Sequence, residues 1–173
     1  MRLLLYTSLL ISFAASGCEP DQLRERAVAP DWQVRSHAIR RIGELRDPTL
    51  LPVVHAALAD ERLEVRESAA RVLIAMGDSS SLPYLRKALS DRAGIVRSHA
   101  AEALIAIGGT SELPAARHLI ENDDDPTARA ATVRVLGELD DPAVVPILKR
   151  ALDDQSPIVR GEAAAALKRR GDR

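Results

Sequence analysis

The dipeptide Val-Arg recurs at Val34-Arg35, Val65-Arg66, Val96-Arg97 and Val159-Arg160, and Ala128-Arg129 fills the slot between the last two. The steps from one of these arginines to the next are 31, 31, 32 and 31 residues. A second marker keeps the same phase. Leu51-Pro52, Leu82-Pro83, Leu113-Pro114 and Val145-Pro146 each place their Pro 17 residues after the preceding Arg. Two independent markers in fixed register over most of the chain leave few options. A period of this length means supersecondary units that cannot bury their apolar faces alone and must stack on one another.

Each unit reads as two helices. After the Arg, apolar residues fall at −1, +3, +4, +7 and +10, as in Val96, Ala100, Ala101, Leu104 and Ile107. That spacing is one helical stripe, and its small central Ala residues let neighbouring helices approach closely. A shorter stripe such as Leu82, Leu85, Ala88 and Leu89 follows each Leu-Pro. Gly77, Gly108 and Gly171 stand where a helix end favours positive φ. Asp47-Pro48 and Asp141-Pro142 read as an N-cap followed by Pro in the first turn. The fold class is therefore all-α, an α-solenoid of about five two-helix repeats of about 31 residues. Arg170 takes the last stripe position, where other repeats have Leu45, Met76, Ile107 and Leu139, as a polar terminal face requires. One extra residue near 122–126 predicts a local offset in the superhelix.

An Asp stands six residues before the Arg in Asp60–Arg66, Asp91–Arg97, Asp123–Arg129 and Asp154–Arg160, while Ala29 replaces it in the first unit. With the Ala/Leu helix and Gly that follow, these units resemble HEAT-like repeats of the type first recognised in phycobilin lyases, over roughly residues 21–171. The resemblance implies that these Asp and Arg residues form a structural ladder between adjacent repeats. Charge-assisted bonds of that kind satisfy turn groups that stacking would desolvate.

The chain opens with Arg2, an uncharged apolar run, and Ala15-Ser16-Gly17-Cys18. The run is too short to span a bilayer, which takes roughly 20 apolar residues, and reads as a signal peptide. The four residues resemble the lipobox of bacterial lipoproteins, with Ala15 where that family most often has Leu. The resemblance implies lipidation of Cys18, including its palmitate-type acyl chains, and removal of residues 1–17. Residues 18–30 are then a lipidated N-terminus with a short first helix, and residues 31–173 the repeat domain. Glu19, in place of the Asp that marks inner-membrane retention in that family, favours the outer membrane of a bacterial cell envelope. The alternative is ordinary cleavage and a periplasmic or secreted protein.

Several functions are excluded by what remains. Removing residues 1–17 takes one charge, Arg2, from 24 basic and 25 acidic residues and leaves a formal net charge of −2. No basic stripe marks a nucleic-acid footprint, and Trp32 and Tyr84 are the remaining aromatics, too few for a base-stacking platform. No nucleophile elbow, P-loop or dinucleotide-binding glycine pattern is present. Ser79-Ser80-Ser81 reads as a loop and helix cap. Iron-binding HEAT-like hydroxylases use His-Glu pairs, and none of His37, His55, His99 or His118 is followed by Glu. No metal or other cofactor and no catalytic residues are therefore expected.

What is left is surface. The second helices are expected to line the concave side, with Arg40, Arg71 and Arg134 at position +5 and His37 and His99 at +2. Arg40, Arg41 and Arg71 make the first half of this row mildly basic, which suits an acidic segment of a partner. Trp32 reads as the lid of the end repeat or as an anchor for that partner. The expected function is a non-enzymatic, membrane-anchored scaffold that binds another envelope or periplasmic protein. Two alternatives stand beside it: an accessory or lyase-like protein acting on a tetrapyrrole- or metal-bearing partner, and a spacer with no specific ligand.

Overall fold

In a computed structural model, residues 19–171 are described. They form ten α-helices. The first helices of the five repeats are α1 (Glu19–Arg26), α3 (Leu51–Ala57), α5 (Leu82–Ala88), α7 (Leu113–Asn122) and α9 (Val145–Ala151). The second helices are α2 (Trp32–Leu45), α4 (Leu63–Met76), α6 (Gly94–Gly108), α8 (Pro126–Glu138) and α10 (Pro157–Gly171). Cys18 lies outside the described residues. α1 packs on α2, and Leu23 in α1 and Ala27 just after it are buried in the core.

The second helices stack directly on one another, α2 on α4, α4 on α6, α6 on α8 and α8 on α10. Each first helix packs chiefly on a second helix. Closer approach in the inner row than in the outer one makes the second helices the concave side. Small residues allow that approach. A Cβ on Gly43 of α2 would sit 2.7 Å from Val72 Cγ2 of α4.

Short 3₁₀ turns lead into α3, α5, α7 and α9. Asp47, Asp78 and Asp141 cap three of them, each carboxylate accepting the backbone N–H two residues on. The far ends of the second helices vary with their residues. Gly77 takes φ 65°. In the third repeat the positive φ belongs to Gly109, not Gly108, because α6 runs one residue further. Gly108 answers a different demand: a Cβ there would meet Glu112 Cγ at 2.5 Å. Gly171 is still helical. The first repeat has no glycine here, and Arg46 itself adopts φ 52°.

The buried residues divide into two large clusters, Leu23 to Leu104 and Ile105 to Ala166. A small one of Ala101, Leu119 and Ala128 lies at the junction. The division lies beside the extra residue, where α7 has ten residues against seven in α3, α5 and α9, and the Asp123–Asp125 turn is shorter than the turns inside the other repeats. At the last stripe position Arg170 does more than present charge. Its guanidinium donates to the Leu139 carbonyl and, at 2.7 Å, to that of Asp141. It thereby satisfies carbonyls where α8 ends without a capping glycine.

Candidate functional site

Two series of inter-repeat bonds fix the helices around the inner face. In the first, Arg35 donates from Nε and Nη2 to the Asp60 carboxylate, both at 2.8 Å, and from Nη1 to the carbonyls of Ala29 and Pro30. Arg66 does the same to Asp91, Arg97 to Asp123 and Arg129 to Asp154. The side-chain partner is thus the Asp of the following repeat, 25 or 26 residues on. The Asp six residues back contributes only its carbonyl, as Asp60 does to Arg66 and Asp91 to Arg97. That explains why Ala29 suffices in the first repeat and why Arg35 belongs to the series. Each of these Asp carboxylates also accepts a backbone N–H in its own turn, Arg62, Ala93, Asp125 and Ser156 in order. Arg160 keeps the carbonyl bonds, to Asp154 and Gln155, and has no carboxylate among the described residues.

The electrostatics follow. Burial is the largest single effect on the Asp60 and Asp123 carboxyls and pushes them up, but the hydrogen bonds from Arg35 and Arg97, those from the turn N–H groups of Arg62 and Asp125, and the nearby guanidinium charges together outweigh it and hold both below the usual range. The hydrogen bond from Arg129 does the same for Asp154.

The second series runs along the first helices and was missed in the sequence. Arg24 donates to the Thr49 carbonyl at 3.1 Å, His55 Nε2 and Ser81 Oγ are 2.9 Å apart, and Arg86 forks onto Glu112 at 2.5 and 3.1 Å. Positions 24, 55 and 86 keep the 31-residue period, which is the signal that marks them. At Arg117 the series stops. Apolar Val144 stands where Glu112 stood, and Arg117 turns to Glu121. His55 stacks on Tyr84, with ring centroids 4.0 Å apart. Ser81, though bonded to an imidazole, has no accessible surface, so no substrate carbonyl reaches its hydroxyl in this state.

A groove of about 880 Å³ lies between α2 and α4 on the inner face. Its floor is made of small groups. Ser36 and Ser68 meet there at 3.0 Å. Ser68 donates to the Glu64 carbonyl, so Ser36 is the donor of the pair. Gly43, Val72 and Ala75 continue the floor. Gln33, His37, Arg40 and Glu44 form one rim, Glu64, Glu67 and Arg71 the other, and Trp32 one end. Trp32 packs on the core and lies under Arg62, whose guanidinium carbon is 5.1 Å from the ring centroid.

The structure therefore brings His37, Arg40 and Arg71 together and leaves two expected residues outside. Arg134 lies on α8 and pairs with Glu138 at 3.1 Å. His99, on α6, is half-buried, its Nδ1 has no hydrogen-bond partner among the described residues, and burial lowers its pKa. The expected basic row needs correction. Arg41 is engaged by Glu19 and Glu44 at 2.8 Å, Arg71 lies 3.9 Å from Glu67, and three glutamates line the groove. Arg40 and Arg71 stand 31 residues apart in one column, but glutamates from other columns face the same space, so the groove is of mixed charge. Arg40 has no ion pair or hydrogen bond among the described residues. Among those residues no group of three His, Cys, Asp or Glu side chains is placed to hold a metal, and no helix is long and apolar enough to cross a membrane.

A family model described as HEAT repeats matches residues 20–105 and 106–173. Among solved structures, the fold is similar to the complex of CpcE and CpcF of phycocyanin lyase from Nostoc sp. PCC7120, with 22% identity and a TM-score of 0.70. That match covers 90% of this chain and 66% of the other, so the chain spans just under two thirds of its length. An engineered protein matches with 21% identity and a TM-score of 0.60, over 86% of this chain and 78% of the other. Human deoxyhypusine hydroxylase, in complex with glycerol, matches with 16% identity and a TM-score of 0.51, over 86% and 72%. At these identities the likeness is one of fold. No protein of curated function matches the sequence.

Proposed function

The chain belongs to the HEAT-repeat family, and on that premise we propose that it is a non-enzymatic scaffold that binds another protein in the α2/α4 groove. The observation that carries this reading is the groove itself. Its rim side chains Gln33, His37 and Arg40 take no part in either inter-repeat series, whereas the arginines that hold the repeats together point into the turns. A lipid on Cys18 belongs to the same reading. α1 begins at Glu19, so such an anchor leaves no spacer and holds the first repeat, with its groove, against the membrane. The partner is then an envelope or periplasmic protein within reach of that surface.

A photo-crosslinking residue placed at His37 in the native host tests the groove, with Lys149 on α9 as the control. One discrete protein captured at His37 and not at Lys149 supports the scaffold; equal or absent adducts refute it. Cys18→Ala tests the anchor separately, since a processed variant that stays with the membrane fraction would sink it. The second reading, an accessory to a tetrapyrrole- or metal-bearing partner, is favoured by the likeness of fold to the CpcE–CpcF complex. A chromophore or metal carried by the captured partner would decide for it.

A further inference from the structure

We infer that the occupant of the α2/α4 groove is an amphipathic helix of the partner, presenting a carboxylate to Arg40 and a basic residue one turn away on either side. The inference rests on the groove being the binding site and names what fills it.

Recognition modes can be separated by what the groove offers. An extended segment gains affinity by adding a strand to a sheet edge. Here the backbone groups along the groove are already spent inside α2 and α4, so a strand would leave its own N–H and C=O groups without partners. A proline-rich ligand needs a surface lined by several Trp, Tyr or Phe side chains, and of these the lining has Trp32 alone. A helix satisfies its own backbone and needs only a channel of suitable width. Two neighbouring helices, whose axes lie about 8–10 Å apart, form that channel.

The floor and rims give the occupant its chemistry. Ser36, Gly43, Ser68 and Ala75 are small, so the incoming helix supplies the bulk, as leucine-sized residues at i, i+3 or i+4, and i+7. From Gln33 to Glu44 the rim runs 12 residues, about 17 Å, or roughly three turns of helix. Along it the unengaged Arg40 is the positive centre. Glu44 lies one turn beyond it and Glu67, on the opposite rim, one turn before Arg71. A helix ordered basic, acidic, basic at four-residue steps matches all three. α2 and α4 occupy equivalent positions in successive repeats and run in the same direction, so their dipoles favour a third helix running against them.

The test uses defined probes against the whole protein. Three 16-residue hydrocarbon-stapled peptides share the same leucine seam. One carries Lys, Glu, Lys at successive turns, the second Glu, Lys, Glu, and the third the first order with a central proline. Fluorescence anisotropy reads each affinity. The matched peptide should bind at least tenfold more tightly than its charge-reversed isomer, and the proline isomer should not bind. Arg40→Glu, at an exposed position, should erase or invert the preference with the circular dichroism of the protein unchanged. Equal binding of the two charge isomers, binding of the proline isomer, no binding at all, or indifference to Arg40→Glu overturns the inference. If His37 still captures a partner in the host while the peptides fail, the scaffold stands and the helical occupant falls. Loss of capture at His37 is the failure of the scaffold itself.

Discussion

Removing one interior rung of the arginine series should cost far more than removing its last member. Arg66 and Asp91 have side chains only 5% and 9% exposed, and their two bonds are 2.7 and 3.0 Å long. Arg66→Ala deletes both, and also the bonds to the Asp60 and Glu61 carbonyls. It leaves the Asp91 carboxylate with the Ala93 N–H as its remaining partner. Taking one member from a buried charged pair costs about 3–5 kcal/mol because the other stays desolvated. These rungs lie at turns near solvent, so the lower end, about 3 kcal/mol, is the expected loss. For a chain of this size that is a fall in Tm of about 6–12 °C. Arg160→Ala, at an exposed position with carbonyl partners only, should cost under about 1 kcal/mol. Urea unfolding followed by circular dichroism measures both. A solenoid can unfold in pieces, so the slope as well as the midpoint must be compared between variants. Equal losses for the two substitutions, or a loss below about 1 kcal/mol for Arg66→Ala, would refute the assignment of stability to the series.

The outer series makes a related demand. Glu112 is 3% exposed and depends on Arg86, so Arg86→Ala should lower Tm more than the double change Arg86→Ala with Glu112→Val, which copies the Val144 position of the next repeat. Acid sensitivity should follow from Asp60, Asp123 and Asp154, whose folded-state pKa values lie below the unfolded value near 4. The stability they contribute is present above about pH 4 and is lost as pH falls through the folded values. In Arg129→Ala the denaturation midpoint should vary less across that range; an unchanged profile would be the contrary result. Gly43→Ala should destabilise by about 1–3 kcal/mol, since its methyl would press on Val72. Val72→Ala in the same chain should recover part of that loss in the same urea assay.

The helix pairs, their stripes and their number were legible because each rests on residues repeated in phase. Arg66 recognises its repeat from the sequence alone. The direction of its bond does not, because a separation of six and a separation of 25 are both constant in a perfect repeat. Geometry had to choose, and it gave the near Asp a carbonyl role and the far Asp the carboxylate role. At the end of α6 two glycines stand in a row and either satisfies the helix-end rule; the helix runs one residue further than α4, so the positive φ falls to Gly109 and not to Gly108. The outer series was hidden because its members change type, from arginine to histidine and from a carbonyl to a serine to a glutamate. The groove was half visible. A column at +5 shows the arginines, but Glu44, Glu64 and Glu67 enter the same space from other columns, and only the stacking of α2 on α4 reveals that they neutralise it.

The two series and the groove divide the polar residues by direction. The arginine series points into the turns between the helices of each repeat, and the outer series points between successive first helices. Neither uses the inner rim of the second helices. Residues there vary without touching either series, as the +2 column displays, even though one member makes a local bond to the neighbouring repeat. The column carries His37 exposed in the groove, Ser68 bonded to Ser36 in the floor, half-buried His99, then Ala131 and Glu162, while the stacking beneath it stays the same. In a solenoid built this way, stability is set by columns that must repeat, and recognition is left to a column that need not. If the groove is the binding site, specificity for a partner belongs to the rim side chains that neither series engages, Gln33, His37 and Arg40.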